Sequence, residues 1–73
     1  GSIDAFEVVI VPQNDEQSDA VKDIIPNISS VKKQGGEIFI VGTFYSEDYA
    51  NAVCAKYISL GLFTNALKVK IES

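Results

Sequence analysis

Histidine is absent from the 73-residue chain and cysteine occurs once. The chemistry left open is that of ten carboxylates and six basic residues, every one of them lysine. A hydroxyl or thiol nucleophile needs a base beside it, and no imidazole exists to supply one for Ser46 or Cys54. One thiol without histidine cannot build the usual zinc sets, and no internal disulfide can form. Glycosidase chemistry would need two carboxylates facing each other across a sugar. The candidates are Glu7, Glu37, Glu47 and Asp48, and none is spaced for that work. Glu47 and Asp48 follow Ser46 and suit the positive end of a helix, while Glu7 and Glu37 read as solvated strand positions. The expectation is no catalysis, no cofactor and no metal.

Charge narrows the partners further. The net charge is −4, and without arginine there is no forked phosphate contact, so nucleic acid is disfavoured. No apolar run is long enough to span a bilayer and no signal peptide is evident. Gly1-Ser2 reads as a cloning scar, leaving residues 3–73 as one domain cut from a longer protein. A chain of this length holds a single core and must commit most of its apolar residues to folding.

The elements that position these groups follow from spacing. Phe6–Val11 is rich in β-branched residues and stops at Pro12, a strand. Asn14 is an N-cap with acidic residues after it and Gln17 three positions on, opening a helix whose apolar positions are Ala20, Val21, Ile24 and Ile25. Pro26 ends it. A weaker strand over residues 28–34 joins Glu37–Val41 through Gly35-Gly36, a hairpin turn. Ser46 caps a second helix with Ala50, Val53, Cys54, Tyr57, Ile58 and Leu60 on its apolar side, and Gly61 terminates it. Cys54 therefore reads as a buried small hydrophobe. Ala66–Glu72 alternates as a half-buried strand. The fold class is α+β: a βαββαβ, ferredoxin-like order with a four-stranded antiparallel sheet and two helices on one face. Ile10-Val11 recurs as Ile40-Val41, a faint internal echo.

Strand parity then divides the side chains. Phe6, Val8 and Ile10 should meet the helices with Phe39, Val41, Leu67, Val69 and Ile71, whereas Glu7, Val9, Val11, Ile38 and Ile40 should face away with Lys68 and Lys70 at the margin. Phe39, Tyr49 and Tyr57 fall on expected core positions. An apolar stripe on an uncovered face predicts an occupant there: a bound partner, a second copy, or a flanking segment of the longer protein that covers it. RNA recognition by the same element order is set aside, because the basic, glycine-interleaved aromatic signature is missing.

The run Ile38 to Ala52, with its Gly42-Thr43-Phe44 turn and Ser46-led helix, continues to Leu60-Gly61 and Asn65–Val69. It resembles the second half of the SPOR domain, a family of about seventy residues with this element order. The first half departs from the family, with Val9, Val11 and Gln13 in place of its Gln-x-Gly-x-Phe pattern, and Ile38 and Ile40 stand where polar residues are common. The resemblance implies a bacterial envelope or periplasmic module within a larger exported or membrane-anchored protein, binding peptidoglycan glycan on the open sheet face, often at the division site. On that reading Val9, Ile38 and Ile40 form the floor, with Gln13, Tyr45, Lys68 and Lys70 at the rim. The alternative is a ferredoxin-like protein-interaction or homodimerisation module using the same face.

Overall fold

The structure, a computed structural model, describes residues 1–72. The elements run β1 (Ser2–Ile10), α1 (Asp15–Ile24), β2 (Ser29–Lys33), β3 (Gly36–Phe44), α2 (Glu47–Ile58) and β4 (Thr64–Glu72). They form one antiparallel sheet in the order β2-β3-β1-β4. This is the expected βαββαβ, ferredoxin-like α+β fold. Both helices lie on one face, since Val21 of α1 and Ala50, Cys54 and Tyr57 of α2 pack in clusters that take Val8 and Ile10 from β1.

The helix ends are built as the sequence suggests. Gln17 N–H donates to Asn14 Oδ1 at 2.8 Å, and Gln17 Oε1 accepts from Gln13 N–H at 2.9 Å, tying down the entry to α1. At α2, Tyr49 N–H donates to Ser46 Oγ at 3.2 Å. Its far end closes with Leu62 N–H bonded to the Tyr57 carbonyl and Gly61 N–H to that of Ile58, while Gly61 adopts φ +85°. A side chain would be strained in that left-handed position, which is why glycine stands there.

Several boundaries differ from the expectation. β1 begins at Ser2, which pairs with Glu72, so the residue set aside as a scar takes part in the sheet. The hairpin turn is Gln34-Gly35, because Gly36 already pairs with Lys33. Gly42-Thr43-Phe44 is the end of β3, not a turn. There β1 and β3 shift register: Val8 pairs with Gly42 and Val9 with Ile40, leaving Val41 as the extra residue of a bulge. A Cβ on Gly42 would lie 3.1 Å from the Phe44 ring, so any larger residue in the bulge must push that ring aside.

The helices contribute unequally. α2 buries Ala50, Cys54 and Tyr57, but α1 buries Val21 alone, with Ile25 and Ile28 packed against the same cluster. Ala20, Ile24 and Ile58 are exposed because each lies a step around its helix from the line that meets the sheet, and Leu60 is exposed in the turn beyond the end of α2. Tyr49 is exposed too and leans on Phe44, with ring centroids 5.1 Å apart.

Candidate docking surface

Directly paired residues of an antiparallel ladder share a face. Phe6, Val8 and Ile10 point to the helices, so Glu7 and Val9 point away, and Ile40, opposite Val9, points away with Ile38. Val31, opposite Ile38, joins them from β2, with Lys33 one pleat further on. Glu7, Val9, Val31, Lys33, Ile38, Ile40 and Leu67 line one shallow depression on the open face. Val9, at 5% exposure, is its floor.

Leu67 corrects the expected phase of β4. Ala66 pairs with Val8 and packs in the core, whereas Leu67 pairs with Glu7 on the open side. Leu67, Val69 and Ile71 therefore face away from the helices, and Lys68 and Lys70, opposite Phe6 and Asp4, take the helical side. Alternation marks a strand's period without marking which set goes inward. Here the small residues Thr64 and Ala66 fit beneath α2 and decide it. The core clusters reach no further along β4 than Ala66, so both lysines stay in solvent beside Asp4. Lys70 donates a hydrogen bond to Asp4, and Lys68 lies 3.4 Å from it. That hydrogen bond foremost, with the two ammonium charges, holds the Asp4 carboxyl below its ordinary 3.8 against a smaller desolvation.

Of the seven expected contacts, Val9, Ile38 and Ile40 come together on the open face. Lys68 and Lys70 leave it. Gln13 lies past the end of β1, its Nε2 donating to the Val11 carbonyl at 2.9 Å. Tyr45 follows β3 at the opposite end of the sheet and is 68% exposed. The residues that sequence reasoning missed are Leu67, Val69 and Ile71, together with Ile3, which pairs with Ile71, and Val31 and Lys33 from β2. Only cross-strand register reveals them. Phe63 adds an aromatic at the margin: Val11 N–H donates to its carbonyl at 2.8 Å, continuing the β1–β4 register on the Asn65–Leu67 side.

The result is a diagonal apolar band from Val31 on one edge strand to Ile71 on the other. Both edges carry lysines, Lys32 and Lys33 on β2 and Lys68 and Lys70 on β4, which opposes strand addition. A second depression, between the first turns of α1 and the hairpin, is polar. Its Lys22 is engaged with Glu37 at 3.8 Å and lies 5.9 Å from the Phe39 ring centroid.

The carboxylates weighed for acid–base work are scattered. Glu7 stands on the open face, Glu37 beside Lys22, and Glu47 and Asp48 in the first turn of α2. Cys54 is buried, and desolvation pushes its thiol upward, away from the reactive thiolate. Among the described residues no group of three or more histidine, cysteine, aspartate or glutamate side chains is gathered to hold a metal. Among the described residues, likewise, no helix is long and apolar enough to cross a membrane. Against known proteins, no family model matches the chain, and no match is found among curated proteins or solved structures.

Proposed function

We propose that this chain is a non-catalytic interaction module that docks a protein surface on its open sheet face. The observation that carries the reading is the phase of β4: it adds Leu67, Val69 and Ile71 to Val9, Ile38 and Ile40 and removes both lysines from that surface. Leu67 and Ile3 are more than two-fifths exposed and Val31 nearly so, leaving substantial apolar area to gain by association. The peptidoglycan reading that the SPOR resemblance implies needs a polar rim. Lys68 and Lys70 sit behind the sheet, and Gln13 and Tyr45 lie at its two ends, so the geometry supports a protein partner better.

Photo-crosslinking tests this. With a benzophenone side chain at position 38, irradiation in cells should give adducts of discrete protein mass, whereas the same group at exposed position 56 on α2 should give none. No adduct from position 38, or equal adducts from both positions, overturns the reading. Co-sedimentation with isolated sacculi separates the glycan alternative: pelleting that increases after amidase removes the stem peptides, and is lost on Ile40→Asp, would replace protein docking by glycan binding.

A further inference from the structure

We infer that the surface seated on the open face is a second copy of this chain, paired about a two-fold axis so that Glu7 of each copy meets Lys33 of the other. The inference rests on the docking reading above and adds its occupant. Glu7 and Lys33 are the charged side chains around the apolar depression, one of each sign. In the ladder they stand on opposite sides of the Val9–Ile40 pair, Glu7 toward the Thr43 end of β3 and Lys33 toward the hairpin.

An isologous interface requires that if residue i touches j, then j touches i. A two-fold axis lying between two such faces, crossing β3 between Ile38 and Ile40, exchanges the Glu7 and Lys33 positions and lays Val9 of one copy near Ile38 of the other. Apolar then meets apolar and each charge meets its opposite. Centring the pair on the whole diagonal band would instead bring Glu7 onto Glu7, a like-charge contact that costs association. The face is electrically neutral although the chain carries −4, so the charge pattern matches itself better than it matches a basic partner.

Size sets the strength. Three strands of nine residues and one of five, ~4.8 Å apart, present roughly 500 Å² in projection, and the offset pairing uses about half of it. A standard interface buries about 800 Å² on each partner. The dimer is therefore weak, with Kd on the order of 10 to 1,000 µM.

Sedimentation equilibrium of the whole 73-residue chain from about 10 µM to 2 mM tests it, with circular dichroism to verify folding of each variant. The wild type should show a monomer–dimer equilibrium. Glu7→Lys and Lys33→Glu should each weaken it about tenfold or more, an effect the size of a lost charge pair. The double variant should recover most of the loss, and an equimolar mixture of the two single variants should associate more tightly than either alone, because both cross-contacts are then opposite in sign. A wild type that is monomeric throughout, or a mixture no tighter than its components, overturns the second-copy assignment. Position-38 adducts to a different protein from a monomeric chain would sink this inference while leaving the docking reading intact; a monomeric chain without adducts sinks both.

Discussion

The two faces of the sheet are built from the same kinds of residue and end in different states. On the helical side Val8, Ile10 and Phe39 are closed off almost completely by Val21, Ala50, Cys54 and Tyr57. On the other, Ile38, Ile40 and Leu67 are as apolar yet meet solvent. Hydrophobic side chains alone do not define a core; a second layer does, and this chain supplies only one. The helical layer is itself uneven, anchored by three buried residues of α2 and by Val21 alone in α1.

The comparison can be broken most severely at Phe39. Phe39→Ala should cost about 3–5 kcal/mol in urea unfolding, whereas Leu67→Ala, on the half-open face, should cost less than about 1 kcal/mol. Equal losses would mean the open face already behaves as a core. Gly42→Val comes next. The new side chain must displace the Phe44 ring 3.1 Å away, and overpacking of this kind costs about 1–3 kcal/mol, read as a fall in the urea midpoint at unchanged slope.

Smaller effects sharpen the contrast between the helices. Asn14→Ala and Ser46→Ala each remove a side-chain acceptor for a helix N-terminus and should each cost about 1 kcal/mol. In hydrogen exchange the first should open α1 without opening α2, because so little packing holds α1 in place; uniform opening of both would contradict the uneven layer.

The smallest effect is titration of Asp4. Its folded pKa lies below the ordinary 3.8, so its pairing with Lys70 and Lys68 stabilises the fold above that value and is lost as pH falls through the depressed one. The group is exposed to solvent, and the effect is screened by salt. Wild type and Asp4→Asn should differ in urea midpoint at neutral pH and converge at strongly acid pH. A constant difference would exclude the ion pairs as its source.

Much of the fold was legible from local chemistry. Asn14 and Ser46 cap helices because a short polar side chain can accept from the third residue on, and Gly61 ends one because only glycine takes its backbone angle freely. The β1 parity was legible because Phe6, Val8 and Ile10 are larger and more apolar than Glu7, the one charged member of the other row. The candidate surface was only half legible. Val9, Ile38 and Ile40 followed from that parity, but in β4, where apolar residues alternate with lysines, local polarity separates the two rows without telling which of them the helices cover.

Period is a property of the strand, written in its own residues; phase belongs to the pair. The amino-acid sequence by itself determined six elements, their order and the antiparallel sheet that such an order makes. The tertiary structure decided that Ala66 and not Leu67 lies beneath α2, because Ala66 pairs with Val8 across a nine-residue ladder whose register no single strand encodes. That one-residue choice moves three apolar side chains onto the open face and two lysines off it.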